Sequence, residues 1–225
     1  MTPKAILFDA GGTLVTIHPT RFGDVLEPIL GGRPDTERLE DAHYLAMDAV
    51  AANPDIVAKT DWWKWWLGEF LAFAGLERRA DLVEALSATR GLWQLPLPGA
   101  LDGARAIREA GFAVAVVSNA DGHVENDLAA AGFGDVFDVV IDSTRVGVSK
   151  PDPRIFDFAL EALGVAPEEC WYVGDSAIFD LQGARNAGLD VFVLVDPFGL
   201  NDHQPRVGSV GEFARDFLAA HSSVD

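Results

Sequence analysis

Four apolar runs in this chain stop abruptly at residues whose side chains can do chemistry. Ala5-Ile6-Leu7-Phe8 stops at Asp9-Ala10-Gly11-Gly12-Thr13, and Phe112–Val117 stops at Ser118-Asn119. The run Val139-Val140-Ile141 is followed by a loop carrying Ser149-Lys150-Pro151. Trp171-Tyr172-Val173 stops at Gly174-Asp175-Ser176, with Asp180 one helical turn further on. A carboxylate can act as nucleophile, as proton carrier or as ligand to a hard cation. Lysine supplies positive charge, and glycines let backbone N–H groups come close to an anion. Taken singly, each feature has a plainer explanation. An Asp after a strand caps a helix, Ser-Asn makes a turn, a Lys before Pro is solvated, and Gly174-Asp175-Ser176 caps the helix beginning at Ala177. Taken together, in this order and always after a strand, they point to one site.

The elements that must hold them are legible from periodicity. The first run is short and wholly apolar, as a buried strand is. From about Phe22 to Ala88 the spacing is helical, with Leu39, Ala42, His43, Ala46 and Ala49 or Val50 on one face. Asp61 stands where it could cap a helix carrying Trp62, Trp63, Trp65, Trp66, Phe70 and Phe73. Gln94-Leu95-Pro96-Leu97-Pro98-Gly99 is a clear break. After it, strands over 112–117, 139–141, 171–173 and 191–195 alternate with helices over 100–110, 121–131, 153–163, 177–187 and 212–220. Gly111, Gly132, Gly164 and Gly188 follow four of those helices as stop signals. Alternation of this kind implies an α/β fold with a Rossmann-like parallel sheet and helices on both faces. Residues 1–15 and 97–225 form that core, and residues 16–96 form a helical domain inserted after the first strand. Ligands of open α/β sheets bind outside the carboxyl ends of the strands, where all the polar residues above fall.

The segments Asp9-Ala-Gly-Gly-Thr-Leu, Val117-Ser118-Asn119, Ser149-Lys150-Pro151-Asp152-Pro153 and Gly174-Asp175-Ser176-Ala-Ile-Phe-Asp180 resemble the four motifs of the haloacid dehalogenase superfamily. Gly183–Gly188 is similar to the tail of the fourth motif, and the helical insertion to the family's cap. The resemblance implies a Mg²⁺-dependent hydrolase that passes a phosphoryl group through an aspartyl-phosphate on Asp9. It implies Asp9, the carbonyl of Gly11 and Asp175 as metal ligands, with Asp180 supporting them by pairing with Lys150. Ser118 would bond a phosphoryl oxygen, Asn119 would help to position the site, and Lys150 would neutralise charge on Asp9 and the substrate. The physical need is clear. At about 4 Å two like unit charges repel by about 4 kcal/mol at an effective dielectric near 20, so a bare carboxylate cannot approach a phosphate dianion.

One position departs from the pattern. Most phosphatases of the family carry a second Asp two residues after the nucleophile, to protonate the leaving group and then activate water, and here that residue is Gly11. Three readings follow. A phosphatase could take its acid–base group from elsewhere or use activated esters. Another chemistry of the superfamily could operate, halo-acid hydrolysis or phosphonate cleavage with a cap lysine such as Lys59 or Lys64. Or the protein binds phosphate or a partner without catalysis. The intact Gly174-Asp175 and Asp180 favour the phosphorylated substrate.

The rest of the sequence sets bounds. Net charge is −18 over 225 residues, a field that repels nucleic acid and anionic membranes. The expected partner is therefore a small phosphorylated molecule bound by a monomer or homodimer. One cysteine, Cys170, allows no internal disulfide, and the N-terminal apolar run is too short for a signal or a span. A cytoplasmic protein is expected, folded throughout except for its last residues, 221–225. Trp62 and Trp66 share a helix face with Trp65, leaving Trp63 as the candidate for a substrate wall or dimer contact. His18, His43, His123, His203 and His221 show no metal-ligand spacing.

Overall fold

The computed structural model describes residues 2–59 and 61–221, with the side chain of Lys59 outside the described set. In chain order the elements are β1 (Ala5–Phe8), β2 (Val15–Thr16), α1 (Pro19–Leu30), α2 (Leu39–Ala52), α3 (Asp55–Lys59), α4 (Trp62–Phe73), α5 (Ala80–Ser87) and β3 (Leu95–Pro96). There follow α6 (Ala100–Glu109), β4 (Ala113–Ser118), α7 (Val124–Leu128), β5 (Val139–Asp142), α8 (Ser143–Val146) and α9 (Arg154–Leu163). The chain closes with β6 (Cys170–Gly174), α10 (Gln182–Asn186), β7 (Val191–Val195), β8 (Arg206–Val207) and α11 (Val210–His221). Two compact units result. One holds the chain up to Val15 and from Pro96 onward, and the other is Thr16–Leu95.

The first unit is built on a six-stranded sheet in the order β5-β4-β1-β6-β7-β8. Every pairing in it is parallel. Its central strands read as unbroken apolar runs because helices cover both faces. β1 is fully buried along its length, and β4 and β6 flank it in register, Phe8 lying opposite both Val116 and Val173. That register brings Asp9 and Gly174 to one level at the carboxyl edge, with Ser118 one residue beyond it on β4. On one face Ile155, Phe156, Ala159 and Leu160 of α9 pack with Leu7, Ala115, Val117 and Tyr172. α6 and α11 press so closely that a Cβ at Gly103 would lie 3.0 Å from the carbonyl oxygen of Val210.

The second unit is helical. Of the expected apolar face, Leu39, Ala42, His43 and Ala46 are buried, and of the two alternatives for its last position Val50 is buried and Ala49 half-buried. Asp61 precedes α4, but its side chain makes no capping hydrogen bond, so the helix starts on packing instead. Trp66 is fully buried, whereas Trp62, Trp63 and Trp65 are half-buried. Trp63 stacks on Trp66, with ring centroids 4.9 Å apart at 8°. Trp93 and His43 add further ring contacts to Trp66. Lys64 is engaged by Glu84 at 2.5 Å. Of the tail expected to be unfolded, only His221 lies among the described residues, and it ends α11.

Candidate active site at the carboxyl edge of the sheet

Asp9 follows β1 directly, and its backbone N–H bonds the carbonyl of Val173 at 2.8 Å, which carries the β1–β6 ladder one residue further. The loop then turns at Gly12, whose φ of 78° suits a residue without Cβ. Gly11 is not among the left-handed glycines, so its φ does not call for a residue without Cβ. In the same loop the Thr13 hydroxyl is buried with no hydrogen-bond partner among the described residues.

Lys150 is buried, and its ammonium is surrounded by acceptors. Nζ lies 2.6 Å from Asp9 Oδ1, 2.7 Å from Asp180 Oδ1 and 2.9 Å from the Tyr172 hydroxyl. These three match the three N–H bonds of an ammonium. Asn119 holds the other end of the same residue. Its amide nitrogen donates to the Lys150 carbonyl at 3.0 Å, and its amide oxygen accepts from the Lys150 N–H at 2.7 Å. Asn119 therefore positions the lysine backbone. Ser118, just before it, is buried at the end of β4. The loop it opens is pinned by Asp142, which ends β5 and accepts from the backbone N–H groups of Gly122 and Thr144.

Asp180 reaches the site through a wide turn. The N–H groups of Asp180 and Leu181 both bond the carbonyl of Ser176, at 3.0 and 3.1 Å. The i→i+5 contact widens this turn before α10, a feature frequent at functional sites. The Ser176 hydroxyl caps the turn by accepting from Phe179 N–H at 3.1 Å. Asp180 Oδ2 takes the Ser176 N–H at 2.9 Å, leaving Oδ1 for Lys150. Gly174 is what allows this approach, since a Cβ there would come within 2.6 Å of the Asp180 carboxyl.

Carboxylate oxygens of Asp9, Asp175 and Asp180 lie within 4.8 Å of one another. Burial raises the Asp9 carboxyl to about 7. Lys150 pulls it back down, while Asp180 and Asp175 push it up. Burial likewise raises Asp180 despite Lys150. For Lys150, burial works against the charge, but Asp180 and Asp9 outweigh it and the ammonium is held above its ordinary range. Tyr172 is raised well above the usual phenol range, by burial first, and stays a neutral hydroxyl. Three clustered carboxyl groups face one buried ammonium, an oxygen-only donor set whose crowding makes charge on Asp9 and Asp180 costly. Those donors fit a hard divalent cation.

The structure thus gathers Asp9, Lys150, Asp175 and Asp180, with Asn119 bound to the lysine. Sequence reasoning missed Tyr172. Inside an apolar strand it reads as core, and its only signal is a hydroxyl two residues before Gly174.

Residues 3–188 match the haloacid dehalogenase-like hydrolase family. The human haloacid dehalogenase-like hydrolase domain-containing protein 3 is 40% identical over 109 residues, covering 48% of this chain and 43% of that protein. Phosphoserine phosphatase of Thermus thermophilus is 39% identical over 147 residues, covering 64% and 58%. The chain spans about half the length of the curated relatives it matches. Among solved structures, a dehalogenase with an intermediate complex superposes with a TM-score of 0.65 at 25% identity, covering 94% of this chain and 96% of that one. A family match across most of the chain, on a sheet that brings the motif residues to one edge, makes this protein a member of the haloacid dehalogenase-like hydrolases.

Proposed function

We propose that this hydrolase is a Mg²⁺-dependent phosphatase of small phosphorylated metabolites, acting through an aspartyl-phosphate on Asp9. The observation that carries the reading is the buried ammonium of Lys150 between Asp9 and Asp180, beside Asp175. Phosphoryl transfer asks a protein mainly to position the reactants and neutralise charge, and this cluster is built for that.

In the proposed reaction a carboxylate oxygen of Asp9 attacks phosphorus and the bond from phosphorus to the leaving oxygen breaks. That oxygen keeps the bonding pair and takes a proton from water. The hydroxide this leaves then adds to phosphorus, and the bond to Asp9 breaks. Inorganic phosphate leaves and the carboxylate is restored. Lys150 offsets charge on Asp9 and on the phosphoryl group, Ser118 bonds a phosphoryl oxygen, and Asn119 keeps the lysine in register. Mg²⁺, held by Asp9, the Gly11 carbonyl and Asp175 with Asp180 in support, would supply the remaining charge neutralisation. The reading takes the protein as cytoplasmic, monomeric or dimeric, and without nucleic-acid or membrane partners, in line with its net charge of −18. Among the described residues no helix is long and apolar enough to cross a membrane.

Phosphatase relatives support this substrate class. The likeness to a dehalogenase, with Gly11 in place of an acid–base residue, favours a second reading in which Asp9 attacks carbon in a halo-acid. Phosphate release from an aryl phosphate and halide release from 2-chloropropionate, each with and without Mg²⁺, test the two. Mg²⁺-dependent phosphate release that Asp9→Asn abolishes supports the first. Metal-independent halide release establishes the second in its place.

A further inference from the structure

We propose that Tyr172 is a positioning residue of this active site, its buried hydroxyl fixing the Lys150 ammonium between Asp9 and Asp180. The phenol lies in the centre of the sheet, on β6 beside β1, fully buried. Its ring is held by Phe156 at 5.0 Å, edge to face, and by Phe192 at 6.1 Å. The hydroxyl therefore has little freedom to move. It accepts from Lys150 Nζ at 2.9 Å, and its own proton has two acceptors in reach, the Val117 carbonyl at 2.9 Å and Asp180 Oδ1 at 3.0 Å. Bonding the Val117 carbonyl ties the group to β4 immediately before Ser118.

The consequence is geometric. Two acidic contacts alone leave an ammonium free to swing about the line joining its partners. A third, neutral acceptor on a rigid strand closes the tripod and saturates the ammonium. It does so without adding another negative charge where Asp9, Asp175 and Asp180 already crowd together. A phenylalanine would keep the packing but strand one buried N–H of a charged group, which is costly.

The kinetic arm rests on the phosphatase reading, whereas the spectroscopic arm does not. In the full-length protein with Mg²⁺, the ¹H–¹⁵N signal of the Lys150 side chain, assigned by its loss in Lys150→Met, is expected to be visible and slow to exchange with water. In Tyr172→Phe that exchange accelerates by about tenfold or more, and kcat falls about tenfold with KM within about twofold. Melting temperature is recorded alongside to separate positioning from packing. Exchange and kcat within about twofold of wild type in a folded Tyr172→Phe overturn the proposal. So does a wild-type ammonium that exchanges too fast to be seen, which needs no variant. If the wild type turns over no phosphate ester, the functional reading fails and the exchange comparison alone decides the role of Tyr172.

Discussion

Gly11 is the residue whose absence of a side chain has the largest chemical consequence. Its backbone is not left-handed, so no conformational demand keeps a glycine there. In the proposed reaction water, and not a positioned acid, protonates the leaving oxygen, and a positioned acid is worth roughly 10²–10⁴ in rate. Gly11→Asp is therefore expected to raise kcat/KM for alkyl phosphates by about 10² or more, while aryl phosphates with good leaving groups change little. Equal rates for variant and wild type on both would mean that another group already supplies the proton. Asp9 has a consequence of its own. Burial holds its carboxyl at about 7, and a metal ligand must be deprotonated. Below that pH a proton competes with the ion, so apparent Mg²⁺ affinity is expected to fall by about tenfold per pH unit and to level off above it. Calorimetric titrations on either side of pH 7 measure this, and an affinity constant down to about pH 5 contradicts it.

At the scale of elements, the strand ends do the positioning, and most were readable. Apolar runs closed by polar residues located β1, β4, β5 and β6, and motif order placed Asp9, Ser118, Lys150 and Asp175. What escaped were features fixed by tertiary contact. Tyr172 looked like core because its ring is core, and only its hydroxyl belongs to the site. The short strand β8 pairs beside β7, and two residues carry too little pattern to be seen. Trp63, singled out from helical geometry, is half-buried and stacks on Trp66, a contact that spacing alone does not reveal. The span 177–187, read as one helix, begins as a wide turn that delivers Asp180. Gly174 makes that turn possible, because a Cβ would stand 2.6 Å from the Asp180 carboxyl. Gly174→Ala is expected to cost about 1–3 kcal/mol of stability, as overpacking does, and to weaken Mg²⁺ binding. Urea unfolding with a parallel metal titration checks both, and an unchanged midpoint and affinity would show that Asp180 moves aside freely.

On the proposed reading, the whole molecule is an acidic protein that binds an anion. Its charge of −18 repels a phosphate dianion at long range, while Lys150 and the proposed ion attract it at contact. Salt screens the long-range part over about 10 Å at 0.1 M and the buried part far less. For a dianionic substrate kcat/KM is thus expected to rise several-fold as ionic strength increases from about 0.01 to 0.15 M. A fall over the same range would mean that positive potential extends beyond the pocket. Fold class was plain at this scale, because alternating apolar runs and helices leave few alternatives to a parallel sheet. The substrate was not, because none of the motif residues specifies the group that carries the phosphate.

The central claim is that Asp9 becomes covalently phosphorylated, and trapping tests it most directly. The protein is mixed with Mg²⁺ and an aryl phosphate in single turnover, quenched, and reduced with borohydride, which converts an acyl phosphate to an alcohol. Peptide mass spectrometry is expected to find homoserine at position 9, dependent on both metal and substrate. Phosphate release at full rate with Asp9 unmodified, and with Asp9→Asn still active, would contradict the account.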